Sequence, residues 1–252
     1  MSEQVFYNGL LSIWLVLATA IFGLLFFINA PYGRYFRKGW GPTIDNKLGW
    51  LTMESVAAFL FAYFFILGNE FSIVPWIFFL MWEAHYFHRA FIFPFSLGGH
   101  KKKMPLLIVA FGLTFNSINA YLNGRYLFSL SGESSTAWLR DPRFISGFLV
   151  FFAGYFINRQ SDHILSRLRK SALNGYVIPH GGLYCLISCP NYLGEIAIWT
   201  GWAIATWSLP GLAFAVWTVA NLAPRARANH IWYKTNFPDY PADRKALLPR
   251  VW

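Results

Sequence analysis

Seven apolar stretches, at about 9–30, 51–68, 72–96, 105–123, 143–158, 185–207 and 209–223, occupy most of this 252-residue chain. Their apolar residues run together instead of recurring on one face, which is the pattern of helices surrounded by lipid. Only 13% of the residues are charged, against about 25% in a typical soluble globular chain. Spans of roughly 20 residues each leave only short loops and a modest tail. The expected fold is therefore an all-α integral membrane protein, a single transmembrane domain over 1–252 with seven helices. Asn69-Glu70 separates the second stretch from the third, and Pro210-Gly211 is expected to divide the last two. No cleavable signal peptide is expected, because the first stretch follows an acidic leader and is too long for an h-region.

The net charge of +10 could suggest nucleic acid. Its distribution argues for a membrane instead. Arg34, Arg37, Lys38 and Lys47 fall in one loop, Lys101, Lys102 and Lys103 in a second, and Arg159, Arg167, Arg169 and Lys170 in a third. The tail adds Arg225, Arg227, Lys234, Arg244, Lys245 and Arg250, while the opposite side has only Arg125, Arg140 and Arg143. The positive-inside rule then puts the N-terminus outside and the C-terminus in the cytoplasm, as an odd number of spans requires. An anionic ligand arriving from the cytoplasm would meet this basic face first. The lysine run at 101–103 is read as a topology signal. Cys185 and Cys189, without further sulfur ligands, are weak metal signals; two free, buried thiols and no metal site are expected.

Six ionisable side chains lie within the apolar stretches: Glu54, Glu83, His85, His88, Arg89 and Glu195. Charge at bilayer depth is costly and marks function by default. A buried carboxylate at Glu54 needs a donor, which Tyr86 or His85 could supply. On a helix Tyr86 and Arg89 would share a face, as would His85 and His88; anchoring of these residues at a membrane interface is the bland alternative. Asn158 and Asp162 stand at i and i+4, followed by Arg167, Arg169 and Lys170. Amide and carboxylate suit a ribose or an amide, and the basic residues suit phosphate; a solvated, capped helix end would look similar. Asn191 and Glu195 repeat the i, i+4 spacing after Pro190, with Gly181-Gly182 upstream allowing close backbone approach. Neither a Rossmann glycine fingerprint nor a P-loop occurs, so a dinucleotide would have to be held by helices and loops.

Several blocks, in order, resemble the steroid 5-alpha-reductase family (3-oxo-5-alpha-steroid 4-dehydrogenases) over nearly the whole chain. They are Trp50-Leu-Thr-Met-Glu54, His85-Tyr-Phe-His-Arg89, Asn158 with Ser161-Asp162, Leu168-Arg-Lys170, and Ile178-Pro with Gly181-Gly-Leu183. Asn191-Tyr-Leu-Gly-Glu195, Ala205-Thr-Trp-Ser-Leu-Pro210, Asp239-Tyr-Pro and Arg244-Lys-Ala-Leu247 complete the set. The resemblance implies an NADPH-dependent membrane reductase with seven transmembrane helices. It assigns Glu54 and Tyr86 to holding and polarising the C3 carbonyl of the substrate. Matches to NADPH-binding positions are Asn158, Asp162, Arg169, Tyr176, Asn191, Glu195, Arg225 and Tyr233, with Tyr32, Arg34 and Arg89 added. Trp50, Phe115, Phe214 and Trp217 match the lining of an apolar substrate cavity. Val177 stands where animal relatives have an Arg, and Asn229 replaces a His.

The expected activity is 1,4-reduction of a 3-oxo-Δ4 steroid by hydride transfer to the β-carbon. The expected partners are a lipophilic steroid enone and the lipid bilayer, with no nucleic acid, and the expected state is a monomer. The expected location is a bacterial inner membrane, or the endoplasmic reticulum in a eukaryote. Reduction of enoyl thioesters or polyprenals is the nearer rival. A membrane methyltransferase of the isoprenylcysteine type shares a basic, aromatic C-terminal region but gives Glu54 and Tyr86 no task. A transporter would be expected to show internal repeats, and none is visible.

Overall fold

The computed structural model describes residues 2–96, 102–132, 135–171 and 176–252. Lys101 of the basic loop and the side chain of Lys170 lie outside the described residues. Helices stand at each of the predicted apolar stretches: α1 (Glu3–Leu25), α2 (Asn46–Gly68), α3 (Ile73–Phe87) with the short α4 (Phe93–Ser96), α5 (Leu106–Arg125), α6 (Pro142–Ser171), α7 (Pro190–Thr206) and α8 (Leu209–Asn236). Among the described residues, three helices are long and apolar enough to cross a membrane: Glu3–Leu25, Asn46–Gly68 and Leu106–Leu130, the last being α5 continued by a π turn. Two short strands, β1 (Thr43–Asp45) and β2 (Lys103–Pro105), pair antiparallel.

Local chemistry sets the ends. Ser2 accepts from the Val5 amide at the start of α1, and Glu3 adds negative charge to that first turn. Asp45 accepts from the amides of Lys47 and Leu48 at 2.8 and 3.4 Å to begin α2. Pro190 occupies the first turn of α7, where its missing N–H is harmless.

Several predicted boundaries are corrected. The stretch 185–207 starts too early, since Gly182–Cys185 form a separate 3-10 turn. Pro210 and Gly211 do not divide the last two helices; they sit in the first turn of α8. The break falls at Trp207, in the left-handed region at φ 45°, and at Ser208, which caps the Gly211 amide. Helices α6 and α8 continue well past the apolar ends expected at 158 and 223. Apolarity marks lipid depth, whereas the i to i−4 ladder continues wherever the residues tolerate it. Pro224 removes only the bond to the Ala220 carbonyl and does not end α8. Cys185 is exposed, contrary to the expectation of two buried thiols; Cys189 is buried, and both are free.

The chain groups into two compact units, Met1–Asn29 with Ser146–Trp252, and Ala30–Ile145. In the first, Trp217 of α8 packs on Trp14 of α1 with ring centroids 4.7 Å apart and donates Nε1–H to the Trp14 carbonyl at 2.9 Å. Four glycines bring α6 and α7 into backbone contact: Gly147 and Gly154 on one, Gly194 and Gly201 on the other. A Cβ at Gly154 would lie 2.6 Å from Ile198 N, and one at Gly194 would lie 2.5 Å from Asn158 N. Small residues at such crossings let membrane helices approach through their backbones.

In the second unit α2 and α3 run antiparallel. Phe61 stacks on Trp82 at 4.2 Å, Phe65 on Phe79 at 4.5 Å, and Trp82 Nε1–H donates to the Ala57 carbonyl at 3.2 Å. Helix α5 runs parallel to α2, its Asn116 amide donating to the Met53 carbonyl at 2.6 Å.

Candidate functional site

In the first unit the glycine crossing places Asn158 of α6 against the head of α7. Asn158 Nδ2 donates to the Asn191 carbonyl at 2.9 Å and to Glu195 Oε2 at 3.1 Å. Asn191 Nδ2 reaches Asp162 Oδ1 at 3.4 Å, and Trp199 Nε1–H donates to Glu195 Oε1 at 3.0 Å. The two i, i+4 pairs read in the sequence thus interlock across the helices, amide to carboxylate in both directions. Arg159 Nη2 donates to Asn158 Oδ1 at 2.5 Å. Its Nε and Nη1 are buried and have no acceptor among the described residues. Burial lowers the Arg159 pKa, while Asp162 and Glu195 oppose that shift.

Helix α8 and the loop before α7 supply the rest. Arg225 Nε donates to the Tyr192 hydroxyl at 3.0 Å, and Asn229 Nδ2 reaches the same oxygen at 3.4 Å and Cys189 Sγ at 3.6 Å. Tyr176 meets Trp232 edge-on at 5.2 Å, and Tyr233 stacks on Tyr240 at 5.3 Å. Tyr184, which the sequence reading missed, is 1% exposed and donates weakly to the Ser161 carbonyl at 3.5 Å. Burial first, then Asp162, Cys189 and Tyr233, hold its phenol well above the ordinary value, with Arg169 acting in the opposite sense. Asp162, Arg169 and Tyr233 therefore share one electrostatic neighbourhood around this ring. The only available signal was a tyrosine two residues after Gly181-Gly182.

This set of donors and acceptors fits a nicotinamide dinucleotide. Amides and carboxylates suit ribose and carboxamide groups, Arg159, Arg169 and Arg225 suit phosphate, and the buried donors of Arg159 call for an acceptor. No group of three metal-ligating side chains occurs among the described residues.

The second unit holds Tyr32, Arg34, Glu54, Tyr86 and Arg89. Trp82 of α3 contacts Ala57 and Phe61 of α2. One turn along each antiparallel helix brings Glu54 and Tyr86 to the same level of the pair. Tyr86 is 3% exposed and lies 4.9 Å from the Trp82 ring. The chain enters a π turn at His88–Ile92, just after Tyr86. Arg89 lies over the rings of Phe93 and Trp50, at 4.3 and 5.2 Å, and Tyr32 meets Trp50 edge-on at 6.4 Å. Arg34 lies in the adjoining 3-10 turn Gly33–Tyr35. Glu83 Oε1 and His88 Nδ1 are buried without a hydrogen-bond partner among the described residues.

The four predicted cavity residues divide between the units. Trp50 and Phe115 belong to the second; Phe214, 3.9 Å from Trp199, and Trp217, packed on Trp14, belong to the first.

Comparison with known proteins gives a consistent result. The sequence profile of the 3-oxo-5-alpha-steroid 4-dehydrogenase family matches residues 102–252. The chain is 38% identical to steroid 5-alpha-reductase DET2 of Gossypium hirsutum over 262 residues, covering 100% of this chain and 99% of that protein. It is 41% identical to DET2 of Arabidopsis thaliana, covering 91% and 90% of the two chains. It is 37% identical to 3-oxo-5-alpha-steroid 4-dehydrogenase 1 of Bos taurus, covering 99% and 98%.

Proposed function

Because this chain belongs to the 3-oxo-5-alpha-steroid 4-dehydrogenase family, we propose that it reduces the Δ4 double bond of 3-oxo-Δ4 steroids with NADPH. The observation that carries this reading is the 38% identity to a steroid 5-alpha-reductase across the entire chain. The buried Nε and Nη1 of Arg159, without an acceptor among the described residues, support it as well, since they call for an anionic partner such as a cofactor phosphate.

Asn158, Asp162, Arg169, Tyr176, Asn191, Glu195, Arg225 and Tyr233 hold the cofactor in this reading, with Tyr32, Arg34 and Arg89 contributing. NADPH, when bound, supplies the hydride that reaches the β-carbon of the enone. Tyr86 donates its hydroxyl proton in a hydrogen bond to the C3 carbonyl oxygen, and the Glu54 carboxylate orients that hydroxyl. Negative charge grows on this oxygen as the reaction proceeds, so a donor already in place stabilises the transition state more than the ground state. Protonation of the α-carbon completes the saturated ketone. Trp50, Phe115, Phe214 and Trp217 offer apolar surface to a flat, lipid-soluble ring system.

The direct test follows NADPH absorbance with purified protein and testosterone- or progesterone-like enones, beside an enoyl thioester. Steroid-dependent oxidation is expected. Oxidation with the thioester alone would favour the rival reductase chemistry, and no oxidation with any membrane-soluble enone would remove the reductase reading.

The proposed topology has seven spans, an external N-terminus and a cytoplasmic C-terminus, on the strength of the Lys and Arg distribution. In a protein lacking Cys185 and Cys189, cysteines placed at Lys102 and Asp243 should react with an impermeant reagent only from the cytoplasmic face. One at Thr136 should react only from the other. The reverse pattern would overturn the orientation.

A further inference from the structure

Ser188 Oγ lies 2.7 Å from His230 Nδ1, 2.6 Å from the Tyr240 hydroxyl and 3.1 Å from the Lys245 carbonyl oxygen. Ser188 is 3% exposed, so no acyl substrate reaches it and the serine–histidine pair is not a hydrolytic dyad. A hydroxyl has one proton to give and two lone pairs to offer. Ser188 donates to the Lys245 carbonyl, and its oxygen accepts from the Tyr240 hydroxyl and from His230 Nδ1–H, so all three contacts are made at once. Burial first, then Lys234, Lys245 and Arg244, lower the His230 pKa, which favours a neutral ring, protonated at Nδ1 in this arrangement.

The trio joins three segments of the first unit. Ser188 lies on the loop entering α7, three residues before Asn191. His230 lies on α8, three residues before Tyr233. Tyr240 lies in the tail, with its ring stacked on that of Tyr233 at an interplanar angle of 9°. Arg244, 2% exposed, covers the Tyr240 ring at 4.9 Å and donates Nη1–H to the Pro179 carbonyl at 3.1 Å. Backbone bonds already tie the loop to the tail, Ser188 N to the Lys245 carbonyl at 2.8 Å and Cys189 N to the Ala246 carbonyl at 3.2 Å. The trio adds a further polar link from this loop–tail pair to α8, beside the Asn229–Cys189 contact.

We propose that Ser188, His230 and Tyr240 are positioning residues for cofactor binding, holding Asn191 and Tyr233 in register with each other. The proposal rests on the reading that Asn191 and Tyr233 contact the nicotinamide cofactor. None of the trio touches reacting atoms, so its loss is felt in cofactor affinity and not in the chemical step. Removing one partner leaves a buried hydroxyl or ring nitrogen unsatisfied and loosens the register of the loop and tail against this part of α8.

The test compares wild type with Ser188→Ala, Tyr240→Phe, His230→Leu and His230→Asn, measuring kcat, the KM for NADPH and direct NADPH binding by the purified proteins. Ser188→Ala, Tyr240→Phe and His230→Leu should each raise the NADPH KM and Kd by about tenfold, the size of one buried hydrogen bond, with kcat within about twofold. His230→Asn, whose amide can occupy the place of Nδ1, should recover most of the affinity. A purely structural contribution would instead lower the active fraction, reducing apparent kcat with KM unchanged, and that result would overturn the proposal. Should Ser188→Ala fail to fold, Tyr240→Phe keeps the ring stack and decides the matter alone. The wild type separates the two levels of inference. If it neither binds NADPH nor turns over, the cofactor reading itself fails; if it does both and the variants keep its KM, only the positioning role is lost.

Discussion

Tyr86→Phe is expected to lower turnover by about a hundred- to a thousandfold, the range for losing one donor to a developing oxyanion, while NADPH binding stays near wild type. The ring remains packed beside Trp82, so the fold has no reason to change. Glu54→Gln keeps the shape of its side chain but removes the charge that orients the hydroxyl, and should lower turnover in the same direction by about tenfold or more. Asn191→Ala and Arg169→Ala should behave in the opposite way, weakening NADPH binding by about tenfold. Direct NADPH binding to each purified variant, measured beside its turnover, separates the two groups. If Tyr86→Phe lost cofactor binding as fully as Arg169→Ala, or kept normal turnover, a distinct carbonyl-polarising pair would be untenable.

Gly194→Leu should be strongly damaging although it lies outside the proposed reacting groups. Its Cβ alone would stand 2.5 Å from the backbone nitrogen of Asn158, and a backbone atom cannot move aside by changing rotamer. Overpacking of this kind costs about 1–3 kcal/mol, occasionally more, and relief requires α6 and α7 to separate. Separation pulls Asn158 from Glu195 and Asn191 from Asp162, so a lower thermal midpoint in detergent and lost NADPH affinity should appear together. Leu212→Ala, at an exposed position on α8, serves as the control and should change neither. A Gly194→Leu protein with the wild-type midpoint and wild-type NADPH affinity would show that the crossing does not position these side chains.

Much of this site was legible as residue types and little of it as partnerships. Glu54 and Glu195 stand out because a carboxylate in an apolar run is costly unless it has a partner. The spacings Asn158/Asp162 and Asn191/Glu195 were visible as helical pairs. Their interlocking was not, because it depends on where α6 crosses α7, and glycines spaced seven apart carry almost no signal by themselves. The π turn at His88–Ile92 was also invisible, since nothing in the hydropathy pattern announces a local departure from the 3.6-residue period. Helices α6 and α8 outran the apolar stretches that announced them, as hydropathy reports depth and not the end of a backbone ladder. Tyr184 escaped because nothing in a loop tyrosine's neighbours forecasts near-complete burial.

The reaction itself can be read most directly from its product. Purified protein incubated with a 3-oxo-Δ4 steroid and NADPH bearing deuterium at the transferred position should yield a 3-oxo steroid saturated at Δ4, with the deuterium on the β-carbon, C5. That position is what a carbonyl polarised by Tyr86 and Glu54 predicts, because withdrawal of electrons through the enone makes the β-carbon the electrophile. Deuterium at C3 in a 3-hydroxy product, with the double bond intact, would contradict the account.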